Sequence, residues 1–196
     1  FVAEVQGGVV TAANAGVKLL RLQQLCGGSL TVRDMESDER TATIVSTAKE
    51  DALAETLADL DEPVVVFCRF HSDLDAAHRA AMAAGRSSVE HSGRTHDLAE
   101  WQAGNAQVLV AQIQAGGLGI DLTRARMAIF YSLGFSLVDY DQARARFLGP
   151  RQTRPVTYEH LLAGGIDEYV MAALAARQEV VAAIVRRFQK GNNTVD

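Results

Sequence analysis

Cysteine is scarce in this chain of 196 residues, with Cys26 and Cys68 the whole complement. Two thiols are too few for a disulfide framework or a cysteine-based zinc site. Both sit in apolar sequence (Gln-Leu-Cys-Gly, Val-Phe-Cys-Arg), so both are expected to be reduced and buried, in a cytoplasmic protein. Aromatics are few, at 6%, while Ala and Val dominate a 48% hydrophobic composition. That mix favours a parallel sheet covered by Ala-rich helices over an all-β sandwich. No apolar run approaches the roughly 18–20 residues needed to cross a bilayer. No basic-then-apolar leader opens the sequence either, so a soluble protein with no membrane partner is expected. His71, His78, His91, His96 and His160 fall in different predicted elements without a ligand pair on one helix face, and no metal site is expected. An excess of positive charge is also missing: the net charge is −5, where nucleic-acid binders carry a basic footprint. The local distribution is different. Arg124, Arg126, Arg144, Arg146, Arg151 and Arg154 share one stretch, opposed there by Asp139 and Asp141.

A regular alternation begins near Ser46. Ser46 or Thr47 is placed to cap a helix through Leu60 with apolar residues at Leu53, Leu57 and Leu60. Pro63 then introduces Val64-Val65-Val66-Phe67-Cys68, a continuous apolar run of the kind found in strands buried on both faces. Ser72-Asp73 is expected to cap a helix over 74–84. Strands are expected at 88–90, 108–111, 127–131 and 156–161, with helices near 97–102, over 137–147 and from Ile166 to about Gln189. Before Ser46 the chain reads as a less regular lead-in, with one helix around 17–25 stopped by Gly27-Gly28 and a polar surface loop over 33–40. The expected organisation is therefore a lead-in over 1–46, an α/β unit over 47–190 and a tail over 191–196. Strands alternating with helices imply right-handed crossovers and a mostly parallel sheet with helices on both faces. Ligands of such sheets bind beyond the C-terminal strand ends, which puts the loops at Arg69, His91, Gln112, Ser132 and Leu162 on the working edge.

Two stretches carry chemistry. In Ala115-Gly116-Gly117-Leu118-Gly119-Ile120-Asp121-Leu122, three glycines directly after a buried strand permit a tight turn and close approach of a ligand, and Asp121 can accept hydrogen bonds from ribose hydroxyls. The spacing is neither a dinucleotide fingerprint nor a phosphate-binding loop with Gly-Lys-Ser/Thr. The glycines alone leave a structural turn and a ligand loop equally open. The second stretch runs from Asp141 to Val156. Its arginines around Gly149-Pro150 can present guanidinium groups to a polyanion, or can simply form a solvated helix face and loop.

Taken in order, several segments resemble the second RecA-like lobe of Swi/Snf-type superfamily 2 helicases and translocases. Residues 64–70 are similar to motif IV, Glu90-His91-Ser92-Gly93-Arg94-Thr95 to the Leu-Asp-Gly-Ser-Thr block, residues 108–123 to motif V and residues 141–156 to motif VI. Leu20-Arg21-Leu22-Gln23-Gln24-Leu25-Cys26, Ser46-Thr47-Ala48-Lys49 and Gly164-Gly165-Ile166-Asp167-Glu168 resemble further blocks of the group, so the likeness covers about residues 17–170. It implies a lobe of a motor in which ATP sits between two lobes, the first holding the phosphates and magnesium and the second supplying arginine fingers. Arg146 falls on the first finger position. Gly117, Gly119, Asp121 and Gln142 fall where motifs V and VI meet the nucleotide. Arg69, His71, Gly93, Gln112 and Gln114 fall on loops facing nucleic acid, expected to be double-stranded DNA. One departure stands out: Gly149 occupies the second finger position and Leu148 replaces the preceding His, so Arg151 is expected to take over. The compact motifs suit a phage or bacterial motor, in the bacterial or host-cell cytoplasm. The isolated chain is expected to be inactive. The competing expectation is an inactive helicase-like module that docks nucleic acid or a protein; a stand-alone Rossmann-type enzyme is disfavoured by the broken fingerprint.

Overall fold

The apolar run Val64–Cys68 forms strand β5, and all five residues are buried. Because strand side chains alternate, Val64, Val66 and Cys68 pack on one face with Leu53, Leu57, Leu74, Ala77 and Ala80, while Val65 and Phe67 pack on the other with Trp101, Phe147 and Val170. Each fully buried Val, Leu or Phe contributes about 1.5–3 kcal/mol, so burial on both faces makes this strand the spine of the molecule. The structure is a computed structural model, and it describes residues 2–5, 8–11, 15–33, 40–114, 120–150 and 152–176.

Four strands line up in parallel with β5: β6 (Ser88–His91), β7 (Val108–Gln112), β8 (Met127–Phe130) and β9 (Thr157–His160), in the order β6-β7-β5-β8-β9. Helices α2 (Ala48–Ala58) and α3 (His71–Ala83) cover one face; α4 (Leu98–Ala103), α5 (Leu137–Ala145) and α6 (Ile166–Ala175) cover the other. This is the α/β arrangement expected. The register pairs Cys68 with Gln112, His91 with Ala111, Phe67 with Phe130 and Phe130 with His160, so all five C-terminal strand ends meet along one edge. Among the described residues, no helix is long and apolar enough to cross a membrane.

Three expectations need correction. The lead-in is not irregular: besides α1 (Ala15–Cys26) it holds β1 (Val2–Val5), β2 (Gly8–Thr11), β3 (Ser29–Arg33) and β4 (Arg40–Ile44), an antiparallel sheet in that order. Leu30 and Val32 alternate with Thr31 and bury one face, a pattern too short to stand out in the sequence. Residues 34–39 of the expected surface loop lie outside the described residues. Helix α3 begins three residues early because Asp73 acts from inside its first turn: the Phe70 N–H donates to Asp73 Oδ2 at 3.2 Å. Cys68 is buried as expected, but Cys26 is only half-buried, with Sγ 3.7 Å from the Gly164 carbonyl where α1 meets α6. The helix expected to reach Gln189 is described to Ala175, and the tail lies outside the described residues.

Gly27-Gly28 does more than stop α1. Gly28 has φ +90°, and a Cβ there would stand 2.3 Å from the Ser46 carbonyl oxygen; a Cβ on Gly27 would stand 2.6 Å from Asp73 Oδ1. The pair lets the chain leaving α1 pass close to the Ser46 carbonyl, just after β4, and to Asp73 in α3.

Candidate nucleotide and nucleic-acid edge

Arg69 follows the last residue of β5, where its guanidinium donates to Gln23 Oε1 at 2.7 Å and lies 4.5 Å from the Phe135 ring centroid and 5.3 Å from that of Phe70. Burial pulls Arg69 below its ordinary pKa while Asp73 and Asp139 oppose the shift; as a guanidinium it stays a cation. Gln23 is itself buried and donates to the Leu133 carbonyl at 2.9 Å, tying α1 to the turn after β8. Arg69, Ile113, Gln114, Gly134, Phe135, Ser136 and Asp139 enclose a cleft of about 260 Å³. Gln112 bridges two loops: its Nε2 donates to the Arg69 carbonyl at 3.2 Å and its Oε1 accepts from the Gly93 N–H at 3.4 Å. His71, Gly93 and Gln114 are exposed on the same edge. All five residues read as facing nucleic acid are therefore gathered at one rim.

The segment that follows the glycine stretch is joined to the segment that carries Arg146 by backbone and side-chain hydrogen bonds. Gly117 and Gly119 lie outside the described residues, as does Arg151, but the segments flanking them are joined. The Leu122 N–H donates to the Arg146 carbonyl at 3.1 Å. The Gln152 amide donates to the carbonyls of Ala125 at 2.8 Å and Thr123 at 3.4 Å. Asp121 Oδ1 accepts from the Thr123 N–H at 2.9 Å and hydroxyl at 2.6 Å, and the Gln102 side chain donates to the Asp121 carbonyl at 2.9 Å. Gln142 stands exposed on α5, its carbonyl accepting from the Arg146 N–H at 3.3 Å. A cleft of about 410 Å³ opens beside Asp121, lined also by Gln102, Thr123 and Arg124. Its lining mixes polar and apolar surface, and the Asp121 carboxylate is an acceptor of the kind that ribose hydroxyls can donate to. A Cβ on Gly149 would stand 3.2 Å from Thr123 Cγ2, so the turn at 149 packs closely beneath this loop.

The arginine stretch is less free than its sequence reads. The Arg124 guanidinium lies 4.9 Å from the Trp101 ring centroid and donates to the carbonyls of Trp101 and Ala106. Arg126 pairs with Glu62 at 2.5 Å. Arg144 lies over the rings of Tyr158 at 4.8 Å and Tyr140 at 5.4 Å. These three hold the fold together. Lys49 and Asp167 each stand in a segment that resembles the helicase lobe, but their contact could not be read there: buried Lys49 donates to Asp167 Oδ2 at 2.5 Å and to the Tyr131 carbonyl at 3.0 Å, pinning α2 to α6. The partners are 118 residues apart, and no local pattern announces them. The rings of His91 and His96 lie 5.5 Å apart, and the described residues contain no group of three or more metal-ligating side chains.

Comparison with known proteins bears on the family and the fold. An uncharacterized ATP-dependent helicase of Mycoplasma pneumoniae (strain ATCC 29342 / M129 / Subtype 1) is 28% identical over 149 residues, 70% of this chain and 14% of that protein. The chain thus spans about a seventh of that relative's length. Among solved structures, the C-terminal part of the Fun30 ATPase domain superposes with a TM-score of 0.57 at 24% identity, over 63% of this chain and 44% of that one. The C-terminal domain of the DEAD-box protein Dbp5 gives 0.58 at 15% identity, over 67% and 79%. These likenesses are of fold: the five-stranded parallel sheet flanked by helices is that of a RecA-like C-terminal lobe. The profile of the helicase conserved C-terminal domain matches residues 23–148, more than half of the sequence, and the chain belongs to that family.

Proposed function

We propose that this chain is the second lobe of a Swi/Snf-type, ATP-dependent DNA translocase or helicase, completing a nucleotide site whose phosphate-binding half lies on a first lobe of the same protein. One observation carries the reading: the Leu122 N–H to Arg146 carbonyl bond, which sets the Asp121 loop against the segment bearing Arg146. The glycine turn at 117–119 and Asp121 hold the ribose side of ATP, Gln142 orients the helix, and Arg146 and Arg151 approach the transferred phosphoryl group. Bound ATP with magnesium supplies the hydrolysable phosphoanhydride. The arginines supply the positive charge that stabilises the developing anion, an effect worth about 10³–10⁵ in rate in related phosphoryl-transfer enzymes. The rim of Arg69, His71, Gly93, Gln112 and Gln114 meets the backbone of double-stranded DNA, and closure of the lobes moves it along. The cytoplasm, bacterial or host-cell, is the proposed setting.

The test is DNA-stimulated ATP hydrolysis by the protein carrying both lobes. Arg146→Ala is expected to lower the stimulated rate by about 10³ and Arg151→Ala by a comparable factor, as for other fingers. Full stimulation in both variants refutes the finger assignment, and brisk turnover by these 196 residues alone refutes the half-site. A second reading, a lobe that docks DNA or a protein without hydrolysis, is favoured by Gly149: its close packing on Thr123 leaves little room for the arginine that motif VI carries there.

A further inference from the structure

Edge strand β6 carries, one residue before its end, a carboxylate buried beneath the turn that Gly93 tops. Glu90 is 7% exposed, and both of its oxygens are engaged. Oε1 accepts from the Ser92 hydroxyl and from Arg94 Nε at 3.0 Å; Oε2 accepts from Arg94 Nη2 at 2.7 Å and lies 3.3 Å from His78 Nε2. Arg94 Nη2 also reaches Asp75 Oδ1 on α3 at 2.8 Å. The same residues wind the backbone. Ser92 Oγ accepts from the Arg94 N–H at 2.9 Å, the Ser92 N–H donates to the Thr95 carbonyl at 2.8 Å, and the Thr95 hydroxyl donates to the Glu90 carbonyl at 3.2 Å. Above this lattice Gly93 is exposed, and among the described residues its N–H is held only by the long 3.4 Å contact to Gln112.

An arginine on a loop at a nucleic-acid rim reads as a phosphate contact. Here the guanidinium is committed to two carboxylates, and Arg94, Glu90 and Asp75 together carry one net negative charge. Among the described residues of this turn, the arginine that a phosphate would meet is already paired. The phosphate meets a fixed backbone amide instead, with no Cβ in the way. We infer that Glu90 and Arg94 are positioning residues, whose buried pair fixes the His91–Thr95 turn so that the Gly93 amide, and not the Arg94 guanidinium, meets the nucleic-acid backbone. This deepens the DNA-facing rim proposed above and rests on it.

The inference is tested by duplex-DNA binding of the full-length protein over a salt series. The variant is Glu90→Gln with Arg94→Gln, which leaves the net charge unchanged and keeps hydrogen-bonding groups under the turn, with thermal melting to verify folding. Affinity is expected to fall about tenfold at every salt concentration, with the slope of log affinity against log salt unchanged, because no phosphate contact carried by a cation is lost. A slope reduced by about 0.9 shows Arg94 neutralising a phosphate and overturns the inference, as does unchanged affinity. Asp75→Asn spares the Glu90 pair and keeps the test alive if the double variant does not fold. The slope of its log affinity against log salt is expected to match the wild type; a slope steeper by about 0.9 shows Arg94 released onto a phosphate and overturns the inference. Wild-type protein that ignores the duplex refutes the DNA-facing rim itself, a result read before any variant is made.

Discussion

Asp73 and Glu90 are both buried carboxylates at the C-terminal edge of the parallel sheet, one in the first turn after β5 and the other inside β6, and their surroundings push them in opposite directions. Asp73 is fully buried. Its Oδ2 accepts from the Ser132 hydroxyl at 2.6 Å and the Phe70 N–H at 3.2 Å, while Oδ1 is buried with no hydrogen-bond partner. Burial pushes it up to about 6, against the pull of Ser132, the neighbouring backbone amides and Lys49. Burial raises Glu90 as well, but the Arg94 fork, Ser92 and His78 outweigh it and bring Glu90 down to about 2. Neutral donors on one oxygen do not offset desolvation, whereas a forked guanidinium on both does. One turn is locked by charge; the other keeps a carboxylate poised to lose its charge just below neutral pH.

The largest break in this contrast is Arg94→Met, which strands Glu90 without its cation. We expect a loss of about 3 kcal/mol in urea unfolding at pH 7, the low end for breaking a buried pair because Arg94 is a third exposed. Glu90 folded at about 2 against an ordinary 4.5 contributes stability that is complete above 4.5 and lost as pH falls towards 2. That acid-side loss should disappear in Arg94→Met; if it persists, another carboxylate is responsible. Asp73 has the opposite sign. Raised from 3.8 to about 6, it holds its proton more tightly folded than unfolded, so its contribution is present below 3.8, declines as pH rises through about 6, and is flat above. Asp73→Asn should erase that decline, roughly 3 kcal/mol between acid and neutral pH. A decline of undiminished size in the asparagine variant assigns it elsewhere.

The halves of the contrast were unequally legible in the sequence. The parallel sheet could be read because its strands are continuous apolar runs, and residues 64–68 and 108–111 are buried as that pattern requires. The antiparallel sheet could not: its strands match those of the parallel sheet in length, but they are not continuous apolar runs, and among the residues whose burial is described only Leu30 and Val32 mark its buried apolar face. The rim residues were named through the resemblance to a helicase lobe, with Arg69 and Gln112 also placed at strand ends by the alternation of strands and helices. The polar bonds that set the rim were not, because they join residues remote in sequence: Gln23 to Leu133, 110 apart, and Ser132 to Asp73, 59 apart. Arginine chemistry was legible by type but not by use. Arg124, Arg126 and Arg144 look like a polyanion cluster with Arg146, and only packing reveals that rings, carbonyls and Glu62 occupy them.

Gln112 gives the smallest expected effect and the sharpest question. Its side chain spans from the Arg69 carbonyl, whose neighbouring N–H donates to Ser132 beside Asp73, to the Gly93 amide above Glu90. Both of its bonds exceed 3.1 Å and lie near solvent, so Gln112→Ala strips no buried group and should cost about 0.5 kcal/mol. If the two carboxylates are governed by their own partners alone, both pH transitions should keep their midpoints in this variant. A neutral amide has no charge with which to link them. A shift in either midpoint, read by unfolding across pH, would mean that moving one loop moves the other, and that the rim responds to protonation as a single unit.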